Sequence, residues 1–126
     1  MGRIIAYIED DQDMIDLVSI ILERHDYQVA GFVRSEGVVE SMLDIKPSLI
    51  LLDIMMPHVD GFEVYHKLKE VEELRSIPII VISAMKKAVE EIEQEGKIEV
   101  EGCLVKPFSI NDLVAVIKEV LPEQDG

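Results

Sequence analysis

Glu9-Asp10, Asp53, Ser83 and Lys106 each stand at the C-terminal end of a short apolar run in this 126-residue chain. Buried parallel strands deliver their last residues to one rim of a sheet, so groups far apart in sequence converge there. Two adjacent acids, a third acid, a hydroxyl and an amine on one rim can bind a divalent cation and a phosphoryl group together. Two carboxylates about 5 Å apart, at an effective dielectric of about 20, repel by roughly 3 kcal/mol. A cluster of Glu9, Asp10 and Asp53 therefore calls for a cation or a proton. Mg²⁺ is the natural occupant, because it prefers oxygen ligands, keeps several waters and leaves room for a phosphate oxygen. Lys106 precedes Pro107, which fixes a turn, and its ammonium has two candidate partners, Asp53 and a bound phosphate. Ser83 alone reads as a helix cap or turn group, and only in this company as a hydroxyl donor.

The apolar runs that position these groups are five strand candidates, 4–8, 27–32, 48–52, 78–82 and 102–105, all rich in Ile, Val and Leu. Their lack of polar alternation implies burial on both faces, as in a parallel sheet with helices on each side. Met14, Leu17, Val18, Ile21 and Leu22 predict a helix over 14–24. Val38, Val39, Met42 and Leu43 predict one over 36–45, stopped by Pro47, and Phe62, Tyr65, Leu68 and Leu74 predict one over 62–74. Ser109 and Asp112 have capping-box spacing ahead of Leu113, Val116, Ile117 and Val120, a last helix that ends near Leu121-Pro122. In 84–97 the cations Lys86 and Lys87 come first and Glu90, Glu91, Glu93 and Glu95 last. Each end thus opposes the helix macrodipole at a cost of a few tenths of a kcal/mol, which predicts that this fourth helix is the loosest. Strand alternating with helix implies right-handed crossovers and an α/β, doubly wound, five-stranded parallel sheet. In the flavodoxin-like order 2-1-3-4-5, strands one and three flank the switch point, and Glu9 and Asp10 meet Asp53.

The length suits one domain with one core, residues 1–121, followed by a short tail, 122–126. A net charge of −14 argues against nucleic-acid or anionic-membrane binding and for a cation or a basic partner. Cys103 is the only cysteine, which excludes an intramolecular disulfide and a multi-cysteine zinc cluster. No apolar run approaches the roughly 20 residues that span a bilayer as a helix, and signal-peptide and myristoylation patterns are missing. The expected location is the cytoplasm. His25 and His66 fall on helices and His58 in the loop after Asp53, with no metal-binding spacing among them.

Ile8-Glu9-Asp10-Asp11, Leu51-Leu52-Asp53-Ile54-Met55-Met56-Pro57, Asp60-Gly61, Val81-Ile82-Ser83-Ala84 and Val105-Lys106-Pro107-Phe108 resemble the signature segments of the receiver domains of two-component response regulators. The resemblance runs through essentially the whole chain. It implies that Asp53 accepts a phosphoryl group from the phosphohistidine of a sensor histidine kinase. It further implies that Asp10, Asp53 and the Met55 backbone carbonyl bind Mg²⁺, and that Glu9 does so directly or through water. Ser83 and Lys106 would contact the phosphoryl oxygens, the Lys106-Pro107 bond would be cis, and phosphorylation would switch a face made by the fourth helix, fifth strand and fifth helix for a downstream protein target. Such a protein is a phosphoacceptor in a phosphorelay and not an enzyme acting on a separate substrate.

Two departures from the family pattern stand out, one at Cys103 and one at the pair Met55 and Met85. Cys103 stands where an aromatic residue three before the lysine is common, and free cysteine at such a place reads as a small buried core filler, or else as a redox-sensitive thiol. Met55 and Met85, two residues after Asp53 and Ser83, are apolar where polar side chains would help orient water, which implies slow self-dephosphorylation. A haloacid-dehalogenase-type enzyme would carry a second Asp where Met55 stands. A flavin or dinucleotide binder would carry a Gly-rich loop where acids follow the first strand. A phosphorylation-independent receiver-like interaction module is the remaining alternative. The chain closes just after the last helix, as expected of a stand-alone regulator or of a piece cut from a longer protein.

Overall fold

The computed structural model describes residues 3–56, 59–95 and 98–122. Strands β1 (Arg3–Ile8), β2 (Tyr27–Phe32), β3 (Leu49–Asp53), β4 (Ile79–Ser83) and β5 (Gly102–Val105), numbered within the main sheet, are all parallel and lie in the order 2-1-3-4-5. They alternate with α1 (Gln12–Glu23), α2 (Val38–Ile45), α3 (Gly61–Glu70), α4 (Lys86–Glu95) and α5 (Ile110–Val120). This is the doubly wound, flavodoxin-like order that the alternation of strand and helix predicts.

Every residue of β3 and β4 is buried, as runs without polar alternation require. On one face α1 and α5 bury Ile15, Val18, Leu22, Leu113 and Ile117 against Ile5, Leu51 and Ile82. On the other, Val38 and Met42 of α2, Val64 and Leu68 of α3 and Ile92 of α4 pack on Ala6, Ile50, Leu52 and Val81. Ile8 pairs with Leu52, Asp53 with Ile82 and Ser83 with Val105, so the C-terminal ends of four strands finish level along one rim.

Beyond shifts of one or two residues at the ends of β1 and α1, the observed elements differ from the expected ones as follows. Strands β3 and β4 each run one residue beyond their apolar runs, so Asp53 and Ser83 are strand residues. Their ladder continues past them, with Ile54 N–H donating to the Ile82 carbonyl at 3.0 Å and Lys106 N–H to the Ser83 carbonyl at 2.8 Å. Helix α2 starts at Val38 because Gly37 is left-handed, with φ of 74°, a conformation that glycine adopts without strain.

The helix predicted over 62–74 is interrupted. Val71 is extended, and a separate turn covers Glu72–Arg75. A continuous helix would place Leu74 about 120° around the axis from Leu68. The break instead turns Leu74 into the core, where it is buried, and Lys69 Nζ and Arg75 Nε tie it by donating to each other's carbonyls at 3.0 Å. Finally, Met55–Met56 pairs antiparallel with Val59–Asp60 in a short ladder that the sequence does not announce. The loop position read for His58 lies outside the described residues.

Helix α4 buries Val89 and Ile92 but has no acid in its first turn and no base in its last. Its Lys86–Glu90 ion pair, at 3.9 Å, is solvent-exposed and so adds little. Backbone amides of α4 are expected to exchange with solvent faster than those of α1, whose Asp11 side chain caps Asp13 and Met14 N–H. Equal protection in native-state hydrogen exchange would contradict a loose fourth helix.

Candidate functional site

Along β1, Ile5, Tyr7 and Glu9 point to the α1–α5 side of the sheet, because side chains alternate along a strand. Leu51 and Asp53 of β3 occupy the same side, and Leu104 of β5 leads there to Lys106. Three charged groups thus cap three apolar rows at the rim. The Lys106 ammonium donates to Glu9 Oε1 at 2.6 Å and to Asp53 Oδ2 at 2.8 Å. Of its two candidate partners, Asp53 is the one present, and Glu9 joins it; sequence reasoning missed this second contact. Its signal is the shared parity of Glu9, Asp53 and Lys106 at the ends of parallel strands β1, β3 and β5 of one sheet.

Asp53 is buried and its second oxygen is also committed, since Oδ1 accepts the Met55 N–H at 2.8 Å. Next to it, Ile54 is pressed against the start of α3. A Cβ built on Gly61 would lie 2.3 Å from Ile54 Cα, so only glycine fits there. Asp60 caps that helix by accepting Phe62 N–H at 2.9 Å. Carboxylate oxygens of Glu9, Asp10 and Asp53 lie within 4.8 Å of one another, Asp10 being the exposed member. Ser83 is fully buried, and its Oγ accepts Met85 N–H at 3.0 Å. The Lys106-Pro107 peptide is cis.

One ammonium cannot neutralise two buried carboxylates. Burial, followed by the contact with Asp53, pushes Glu9 up to about 8 against the opposing pull of Lys106. Burial also pushes Asp53 up, but the contact with Glu9 and the hydrogen bonds from Lys106 and the Met55 N–H outweigh it and hold Asp53 below its ordinary value. For Lys106, burial favours the neutral amine, yet Asp53 and Glu9 prevail and raise it above an ordinary lysine. The metal-free site therefore keeps one proton on Glu9 and an ionised Asp53.

The donor set fits a hard divalent cation. It consists of carboxylate oxygens, and Glu9 Oε2 is buried with no hydrogen-bond partner among the described residues. Cys103 does not match the buried reading. It is half-buried and packs at the margin of the core, because β5 is an edge strand with β4 on one side only. The side chains of Met55 and Met85 are about half exposed. No helix among the described residues is long and apolar enough to cross a membrane.

Comparison with known proteins agrees with this geometry. The model of the response regulator receiver domain matches residues 5–118. The chain is 33% identical over 125 residues to the DNA-binding dual master transcriptional regulator RpaA of Synechocystis, covering 99% of this chain and 51% of RpaA. It thus spans about half the length of that relative. It is 34% identical over 123 residues to the polar-differentiation response regulator DivK of Brucella anthropi, covering 96% of this chain and 98% of DivK. Among solved structures, the receiver domain of sensor histidine kinase PA1611 from Pseudomonas aeruginosa, which has a magnesium ion coordinated in its active-site cleft, superposes with a TM-score of 0.83 at 22% identity, covering 98% of this chain and all of that one. With a family model spanning nearly the full chain and a relative of matching length a third identical to it, the chain belongs to the response regulator receiver domains.

Proposed function

We propose that this receiver domain, folded over residues 1–121, takes its phosphoryl group on Asp53 from the phosphohistidine of a sensor histidine kinase and passes the signal to a downstream protein. The observation that carries the reading is the convergence of a buried, ionised Asp53 with Lys106 and with the oxygens of Glu9 and Asp10. Glu9, Asp10, Asp53 and the Met55 carbonyl would hold Mg²⁺, the ion coordinated in the cleft of the PA1611 receiver domain. When bound, Mg²⁺ supplies positive charge opposite the phosphoryl oxygens.

The Asp53 carboxylate attacks phosphorus, so that a P–O bond forms as the P–N bond to imidazole breaks and the imidazole leaves with a proton. Such a transfer asks mostly for positioning and charge. Met55 N–H orients Asp53. Lys106 moves from Glu9 and Asp53 onto the new phosphoryl oxygens, and the Ser83 hydroxyl turns from Met85 N–H to donate to the phosphoryl group. The phosphorylated arrangement binds these groups differently from the unphosphorylated one, and that difference shifts the population of the face formed by α4, β5 and α5. A phosphorylation-independent interaction module would have no need of an ionised, lysine-paired aspartate.

Metal binding requires the Glu9 proton to leave. Mg²⁺ affinity is therefore expected to rise as pH increases from about 6 through the Glu9 value of about 8, by up to about tenfold per unit, and then to level off. Because that folded-state value lies above the ordinary 4.5, the Glu9 contribution to the stability of the metal-free protein is complete below about pH 4.5 and is lost as pH rises towards 8. Calorimetric Mg²⁺ titrations across this range check the first sign, and denaturant melts in EDTA from about pH 4.5 to 8 check the second. An affinity independent of pH would contradict a protonated Glu9.

The phosphoacceptor reading is tested by intact mass after incubation with acetyl phosphate. A phosphate-sized adduct is expected with Mg²⁺ and none with EDTA. No adduct on a folded, Mg²⁺-binding protein would contradict the reading.

A further inference from the structure

The Tyr7 hydroxyl is buried, with no hydrogen-bond partner among the described residues. A buried hydroxyl left unsatisfied costs on the order of 1–3 kcal/mol, so its persistence at one place calls for an explanation. Its same-face neighbours on the adjoining strands are Gly31 and Leu51, which present no polar side chain, and along β1 they are Ile5 and Glu9. Asp53, the other acid nearby, has both oxygens committed to Met55 N–H and Lys106. Glu9 Oε2 is a second buried side-chain atom without a partner among the described residues. The two orphaned atoms thus belong to side chains two residues apart, Tyr7 in β1 and Glu9 just past its end; the hydroxyl can donate, and the oxygen can accept once Glu9 has lost its proton to metal binding. Among the charges that disfavour ionisation of Tyr7, Glu9 stands first.

We propose that Tyr7 is a positioning residue for the metal site: its hydroxyl donates to Glu9 when Lys106 moves onto the phosphoryl group. In the resting arrangement Lys106 holds Glu9 through Oε1. Once the ammonium leaves, a buried carboxylate loses its donor and its orientation. The Tyr7 hydroxyl lies on the same face and is uncommitted, so it takes over the contact and keeps Glu9 aimed at the cation site. A phenylalanine of the same shape would pack equally well and could not do this. The inference rests on the proposed binding of Mg²⁺ and a phosphoryl group at this rim.

The test compares wild type, Tyr7→Phe, Glu9→Met and the double variant by thermal melting and by calorimetric Mg²⁺ titration, each with and without beryllofluoride as phosphoryl mimic. Without ligands, Tyr7→Phe is expected to melt at or above wild type, since it removes an unsatisfied buried hydroxyl. With Mg²⁺ and beryllofluoride, its affinity for Mg²⁺ is expected to fall by about tenfold to a hundredfold, the loss of one hydrogen bond to a charged group. In the Glu9→Met background the same substitution is expected to change nothing further. A role in packing alone would lower the melting temperature in both states and would add to Glu9→Met. Unchanged affinity in Tyr7→Phe, or additive losses in the double variant, would overturn the inference while leaving the phosphoacceptor reading intact. Failure of wild type itself to bind Mg²⁺ and beryllofluoride would overturn both.

Discussion

Replacement of Lys106 by methionine is expected to destabilise the metal-free protein by about 3 kcal/mol, the low end for breaking a buried ion pair, because the lysine side chain retains some solvent access. The ammonium now donates to two carboxyl groups that are almost wholly buried, and it offsets the charge that Asp53 carries while Glu9 keeps its proton. Methionine fills much of the same volume and leaves that charge with no counterpart but protons. Mg²⁺ should then recover more stability in Lys106→Met than in wild type, since it no longer competes with the ammonium for Glu9 and Asp53. Phosphoryl transfer should nonetheless slow, for want of the group that meets the new phosphoryl oxygens. Denaturant melts in EDTA and in saturating Mg²⁺ measure the first two effects. A Lys106→Met protein as stable as wild type in EDTA would show that the pair is not what holds this rim.

The second large effect is expected at a contact between two stretches of backbone. Gly61→Ala should cost about 1–3 kcal/mol, the usual range for overpacking a tight contact. The new methyl group would meet backbone atoms of Ile54 and not a side chain that can swing aside. Either α3 withdraws or the segment after Asp53 shifts, and that segment carries the Met55 N–H that orients the carboxylate. Phosphorylation by acetyl phosphate is accordingly expected to slow along with the loss of stability. A stability change under about 0.5 kcal/mol, with normal phosphorylation, would contradict so close an approach.

Gly61 also marks the limit of what a linear reading reveals. Its place after Asp60 belongs to a recognisable motif, but the contact with Ile54 depends on how α3 lies on the sheet. The strands were legible because each is a short apolar run without alternation, and their parallel order followed from the helices between them. Glu9, Asp10, Asp53, Ser83 and Lys106 were legible as a set because each ends such a run. What resisted reading were features decided by packing. Leu74 looked like one more turn of α3 until its direction was known, and Val71 breaks the helix to bring it inside. Cys103 looked like core, but the edge position of β5 leaves it half-covered. The bridge from Lys106 to Glu9 spans β3 and β4 and needs the parity of side chains across the sheet, a property of the register and not of spacing along the chain.

The central claim is that Asp53, alone among the clustered acids, becomes phosphorylated. The protein would be incubated with acetyl phosphate and Mg²⁺, the acyl phosphate reduced with borohydride, and the modified residue located by peptide mass spectrometry. Reduction of Asp53 to homoserine is expected, absent in EDTA and absent in Asp53→Asn. A label on Glu9 or Asp10, or one that persists in Asp53→Asn, would contradict it.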